Sequence, residues 1–233
     1  MKKTIGMIGG MGPLATADLL KKIVLMTDAG CDNDHIRVFI DNNTNIPDRT
    51  SAILRGGKDP VADMTDSIRV LERCGADCLV MPCNTAHYFL PRLKELTSLP
   101  FLSMLEVTAK ACAVRYPGKT AAILGTRGTL QTGIYADALS AERVAYILPD
   151  EGQKDVLMDA IYGVKGGVDL ETVRVPMEAL ISEMQTRGAD YFILGCTELP
   201  IVAQELKLKA AFIDPTSELA RSAIEFCGYK VKE

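Results

Sequence analysis

The sequence predicts an α/β protein of two pseudo-symmetric domains, each a parallel-rich sheet flanked by helices. Three observations carry this prediction. Short apolar, strand-like runs alternate with helix-periodic segments along the whole chain. One strand–turn–helix passage recurs in the second half. With 48% apolar side chains among 233 residues, there is enough nonpolar material for substantial cores.

The first βα unit is the clearest. Residues 4–8, Thr-Ile-Gly-Met-Ile, read as a buried strand; glycines then turn the chain, and Leu14, Leu19, Leu20, Ile23, Val24 and Thr27 keep helical spacing. Pro13 suits the first helical position, where its missing N–H is not needed. The stretch HIRVFID, 35–41, reads as a second strand. A helix follows over about 60–73, with Val61, Met64, Ile68 and Leu71 facing inward and Gly75 as its C-cap. DCLVMP, 77–82, is apolar on both faces, as a central parallel strand would be, and Cys83 stands at its carboxyl end.

The repeat makes that cysteine more informative. GADCLVMPCNT, from Gly75, and GADYFILGCTE, from Gly188, share Gly-Ala-Asp, four apolar residues, a small turn residue and a cysteine, at an offset of 113 (188 − 75 and 196 − 83). TIGMIGGMG from Thr4 is echoed by TAAILGTRG from Thr120, an offset of 116. Two halves of similar topology follow, with Cys83 and Cys196 at equivalent strand ends. The boundary falls near 100–118, giving 1–100 plus 214–233 as one half and 101–213 as the other, with a last helix over about 216–226 returning to the first.

Composition narrows the function. A formal charge of −4 without a Lys/Arg run leaves no nucleic-acid surface, and no apolar stretch reaches the ~18 residues of a membrane span. Lys2 and Lys3 before apolar residues imitate a secretory signal, but Gly6, Gly9, Gly10, Gly12 and Pro13 suit a strand and a turn. Seven dispersed cysteines without a C-x-x-C pair predict free thiols in a reducing cytoplasm, and His35 and His87 alone predict no metal site. Cys31, Cys74, Cys78, Cys112 and Cys227 read as small core or surface residues.

Ligands of open parallel sheets bind beyond the carboxyl ends of the strands, where helix N-termini offer N–H donors that stabilise an anion and favour a thiolate. Asn84, Thr85, Thr197 and Glu198 add hydrogen-bonding groups beside the two thiols. Thiols on both faces of one substrate carbon meet the requirement for inverting a stereocentre: one removes a proton and the other returns one.

GGMGPLAT (9–16), NNTNIPDRT (42–50), PCNTAH (82–87) and LGCTELP (194–200) resemble the aspartate racemases of the aspartate/glutamate/hydantoin racemase superfamily, in order and over nearly the whole chain. The resemblance implies an active site in the cleft between the two domains, no cofactor, an acidic amino acid as substrate, a cytoplasmic homodimer, and catalysis by Cys83 and Cys196. Both family cysteines are present, unlike in the superfamily's single-cysteine decarboxylases. The resemblance also assigns Arg49, and Lys165 in the Gly-flanked GVKGG stretch read as a loop, to the substrate's side-chain carboxylate. It places Met11, and with it Gly12 and Thr50, along the pocket.

Other readings stay open. Glutamate, or aspartate and glutamate together, is an alternative substrate. GMGPLA fits a dinucleotide-binding turn, although the first acidic residue ending a later strand, Asp41, comes 29 residues after Gly12 (41 − 12) rather than ~20. Lys165 alone points to pyridoxal phosphate, with nothing else in support. His87 reads as a helical bystander.

Overall fold

The computed structural model describes residues 2–232. Strand β1, Ile5–Gly9, is buried along its length and leads through a glycine turn into helix α1, Pro13–Met26. The turn explains its own glycine: Gly10 has φ +89°, and a Cβ there would lie 2.3 Å from the backbone of Asn43. Helix α1 buries Ala15, Thr16, Leu19 and Ile23. Leu14 and Val24, which also keep helical spacing, are exposed because they flank that stripe rather than lie on it.

Strand β2, Val38–Asn42, is followed by α2, Arg49–Leu54, a short helix that no apolar periodicity announces; Asp48 caps it by accepting the Ser51 N–H at 2.7 Å. Helix α3, Val61–Cys74, turns Val61, Met64, Ile68 and Leu71 inward and ends at Gly75 in the left-handed conformation, φ +84°. Strand β3, Cys78–Val80, then precedes α4, Leu90–Lys94, and α5, Met104–Arg115.

The first sheet is parallel, in the order β2-β1-β3. Strand β3 is therefore not the central strand expected from its composition; β1 is. Its two-sided apolar pattern has another cause. Both faces are covered, and on its outer side Leu79 donates to the Pro100 carbonyl at 2.9 Å and accepts from the Leu102 N–H at 3.0 Å.

The second half repeats this path with β4 (Thr120–Gly125), α6 (Arg127–Gln131), α7 (Ala136–Ala141), β5 (Ala145–Ile147), α8 (Glu151–Gly166), α9 (Arg174–Thr186), β6 (Tyr191–Gly195), α10 (Leu199–Glu205) and β7 (Phe212–Ile213). Its sheet is parallel in the order β5-β4-β6-β7. Strands β4, β5 and β6 correspond to β1, β2 and β3, and β7 stands where residues 100–102 run along β3. Helix α11, Pro215–Phe226, closes the chain.

Met1–Val107 with Thr216–Glu233 form one compact unit and Thr108–Pro215 the other, the divide falling inside α5. In the first unit, Ile5, Met7, Cys78 and Val80 pack against Leu19 and Ile23 of α1 and Leu219, Ala223 and Ile224 of α11. The opposite face, Ile8 and Leu79, packs against Met64, Ile68 and Leu71 of α3. Each of the Ile, Leu, Met and Val side chains among these contributes roughly 1.5–3 kcal/mol on burial. In the second unit the buried residues of β4 and β6 are accompanied by buried Leu157, Ala160 and Ile161 of α8 and Leu180, Ile181 and Met184 of α9. Among the described residues no helix is long and apolar enough to cross a membrane.

The repeated Gly-Ala-Asp has a structural reason. Gly75 and Gly188 both take positive φ, +84° and +99°, to leave the preceding helix. Two residues on, Asp77 accepts the Thr4 N–H at 2.7 Å while its own N–H donates to the Thr4 carbonyl at 2.9 Å. Asp190 does the same to Thr120, at 2.8 and 2.9 Å. Each half thus pins the start of its middle strand to the start of the strand that carries the cysteine.

Candidate active site

Cys83 lies three residues past the end of β3 and Cys196 one residue past β6; both are 7% exposed. The segments after the two cysteines depart from the sequence expectation, because no regular α-helix opens at either thiol. A tight 3-10 turn, Thr85–Phe89, comes after Cys83, and α4 begins only at Leu90; α10 begins at Leu199. Pro91 and Pro200 explain this, since proline fits the first turn of a helix and resists regular helix on its N-terminal side.

Asn84, the residue before the 3-10 turn, and Thr85, its first residue, are buried, as are Thr197 and Glu198. The repeat offset of 113 pairs Asn84 with Thr197 and Thr85 with Glu198 (197 − 84 and 198 − 85). The last pair is unlike in charge, and the local geometry reflects it. Cys196 Sγ donates to Glu198 Oε2 at 2.9 Å, and Thr197 Oγ1 donates to the same oxygen at 3.3 Å. The Lys165 ammonium lies 3.6 Å from Glu198 Oε1. Burial, and next the adjoining Glu198 carboxylate, push the Cys196 thiol well above its ordinary pKa, against a smaller opposing pull from Lys165.

Lys165 is not on a loop. It sits in the last turn of α8, which the left-handed Gly167, φ +66°, terminates, and it is partly open to solvent. The glycines around it mark a helix end, not a mobile segment. A cation in this position is also favoured by the carbonyl end of the helix dipole.

Arg49, the first residue of α2, is 9% exposed. Its Nη1 donates to the carbonyls of Ile46 and Pro47 at 3.2 and 3.0 Å, its Nη2 to that of Met11 at 3.2 Å, and its buried Nε has no hydrogen-bond partner. Neutral carbonyls orient this cation without neutralising it. The contact ties Arg49 to Met11, so two residues singled out from distant stretches of sequence are joined. Thr50 follows Arg49 in α2, and Gly12 caps α1. In the turn between, the Gly10 N–H already donates to Thr16 Oγ1 at 3.0 Å, so this donor of the supposed dinucleotide-binding loop has an internal partner.

His87 is the residue that sequence reasoning undervalues. It is buried, its Nε2 accepts the Met104 N–H at 3.1 Å, and its Nδ1 lies 2.9 Å from the Cys83 carbonyl oxygen. Because Nε2 accepts, Nδ1 must carry the proton and donate to Cys83. Burial pushes its pKa down to about 4, so the ring is neutral near pH 7. The signal in the sequence is its spacing four residues after Cys83, in a chain with two histidines. The repeat-equivalent position holds Pro200 (200 − 87 is again 113), and the Cys196 carbonyl accepts from the Leu199 N–H at 3.0 Å instead.

The chain is thus an α/β protein of two parallel-sheet units, each with a buried thiol just past a strand end. Residues 8–223 match the Asp/Glu/Hydantoin racemase family, and the chain belongs to it. It is 27% identical over 226 residues to the broad specificity amino-acid racemase RacX of Bacillus subtilis, covering 94% of this chain and 96% of that protein. It superposes on the aspartate racemase of Picrophilus torridus with a TM-score of 0.84 at 33% identity, covering 99% of this chain and 96% of that one. The glutamate racemase of Aquifex pyrophilus shares the fold, with a TM-score of 0.67 at 22% identity over 96% of this chain and 83% of that one. The chain is thus a member of a racemase family, a class of isomerases.

Proposed function

We propose that this racemase acts on aspartate without a cofactor, with Cys83 and Cys196 as the acid–base groups for opposite faces of Cα. The observation that carries this reading is the pair of buried thiols at repeat-equivalent strand ends, each next to hydrogen-bonding side chains. One thiolate takes the Cα proton; the electron pair left behind is delocalised into the α-carboxylate; the other thiol protonates the opposite face. Met11, Asn84, Thr85 and Thr197 line the substrate in this reading and hold its charge as it develops.

Arg49 supports an acidic substrate. A buried guanidinium that, among the described residues, is held by neutral carbonyls is set to take a carboxylate, and its fork can bind both oxygens. Lys165 is the second cation assigned to that carboxylate. Aspartate is preferred to glutamate because the Picrophilus torridus relative, 33% identical over nearly the whole chain, is an aspartate racemase. The broad specificity of the Bacillus subtilis relative makes glutamate the second reading. A cytoplasmic homodimer completes the proposal: the seven free cysteines support a reducing compartment, and sedimentation at about twice the monomer mass of 25.3 kDa checks the dimer.

The test incubates each enantiomer of aspartate and glutamate in D2O and follows optical rotation with deuterium at Cα. Both aspartate enantiomers are expected to racemise with deuterium uptake and no added cofactor. Absence of exchange from all four would overturn the proposal.

A further inference from the structure

The two thiols differ in what stands beside them. Cys196 Sγ donates to a buried carboxylate at 2.9 Å, and that carboxylate is anchored on its other oxygen by the Lys165 ammonium at 3.6 Å. At the equivalent place beside Cys83 the chain has Thr85, which is not an acid. Glu198 is 5% exposed, and a carboxylate kept out of water with one thiol, one threonine hydroxyl and one ammonium as neighbours needs a reason. Its local work is small: α10 receives no side-chain cap from it.

We infer that Glu198 is the proton-exchange partner of Cys196, so that the two faces of this racemase work by unequal means: a thiol–carboxylate pair on one, a lone thiol on the other. The inference rests on the two-cysteine reading above and deepens it. The S–H bond of Cys196 breaks as its proton passes to the Glu198 carboxylate, giving a thiolate and a carboxylic acid. The thiolate takes the Cα proton, forming S–H and leaving the electron pair delocalised over Cα and the α-carboxylate. Cys83 gives its own S–H proton to the other face, forming the new C–H bond and becoming a thiolate. The net change in the protein is one proton moved from Cys83 to Glu198, and the opposite enantiomer reverses every step. The two forms of the free enzyme differ only in where that proton rests. Lys165 keeps Glu198 beside the thiol through the cycle. The elevated thiol pKa fits the form in which Cys196 holds its proton.

The experiment compares Glu198→Gln with Cys196→Ala and Cys83→Ala. Because an equilibrium constant of one couples the two directions of racemisation, a rate in one direction cannot single out a face; Cα hydrogen exchange without inversion can. Each cysteine variant is expected to exchange only the enantiomer served by its remaining thiol, with retention of configuration. Glu198→Gln is expected to racemise roughly 10²–10³-fold more slowly, as loss of an acid–base partner requires, and to exchange the same single enantiomer as Cys196→Ala. Glu198→Asp, which restores the carboxylate, is expected to recover exchange of both. The inference is overturned if Glu198→Gln, with unaltered circular dichroism and melting temperature, exchanges both enantiomers at the parent rate, loses both equally, or matches Cys83→Ala. If the parent enzyme exchanges neither aspartate enantiomer, the two-cysteine reading itself fails, an outcome distinct from all three.

Discussion

The ring of His87 hydrogen-bonds the carbonyl oxygen of Cys83 through Nδ1 at 2.9 Å, and the Met104 N–H closes the other side of the ring at 3.1 Å. A buried neutral imidazole thus holds the peptide unit that comes after one candidate catalytic thiol. The sign of its effect on stability is set by a folded-state pKa of about 4 against an ordinary 6.5. Above 6.5 neither the folded nor the unfolded state binds the proton and the full stability is present. Between 6.5 and 4 only the unfolded chain binds it, so stability is lost as the pH is lowered, by about 3 kcal/mol across that window. Urea unfolding of His87→Gln from pH 7.5 to 4.5 should show that this part of the pH dependence has flattened. A slope equal to the parent's would show that His87 is not its source.

Arg49 gives a ligand prediction that needs no turnover. A dicarboxylate that engages its guanidinium binds the folded state only and must raise the melting temperature with concentration, by about 2.7 kcal/mol at a hundredfold excess over Kd. Malonate or aspartate should therefore stabilise the parent protein, and Arg49→Ala should abolish the shift. Arg49→Lys keeps the charge but loses the fork, and is expected to raise KM for aspartate at least tenfold. Equal stabilisation of parent and Arg49→Ala by malonate would remove Arg49 from the site.

Much of this is legible in the sequence, for reasons that differ by residue. Gly75 is readable as a cap because few residues adopt its positive φ, and the inward face of α3 because four apolar residues keep one helical stripe. The parallel strands show as apolar runs, yet β3 reads as the centre of its sheet because two-sided burial looks the same for a middle strand and a covered edge. Lys165 reads as a loop residue because glycines that end a helix and glycines that loosen a loop look alike until φ is known. Both cysteines emerge through the repeat. The partners of Cys196 and Cys83 are less visible, since a carboxylate two residues on and an imidazole four residues on acquire meaning only when the turn brings them to a sulfur or a carbonyl.

The repeated Gly-Ala-Asp is assigned to the fold and not to the chemistry, and that is testable. Gly75→Ala meets no steric obstacle, since nothing lies within 4 Å of the added Cβ, so only the φ of +84° opposes it, at about 1 kcal/mol. Asp77→Ala removes the acceptor of the Thr4 N–H and is expected to lower stability by a similar amount. Both variants should keep KM for aspartate within twofold of the parent in a steady-state assay, while their urea midpoints fall. A large KM change with an unchanged midpoint would move this turn from scaffold to site.

Lys165 separates substrate binding from folding. Its ammonium is 3.6 Å from Glu198 Oε1, long for a hydrogen bond, and its side chain is 37% exposed, so solvent screens the Lys165 end of a pair whose carboxylate is buried. Its proposed work is on the side-chain carboxylate of the substrate. Lys165→Met keeps most of the stem and deletes the charge. Its melting temperature is expected to fall by about 2–4 °C, since the buried Glu198 loses its cation while water reaches the place of the ammonium. KM for aspartate is expected to rise tenfold or more, because binding is lost in the ground state and the transition state alike, with a smaller fall in kcat from the loosened Glu198. A variant that melts much earlier while binding aspartate at the parent KM would make Lys165 a structural counter-ion of Glu198 and nothing more.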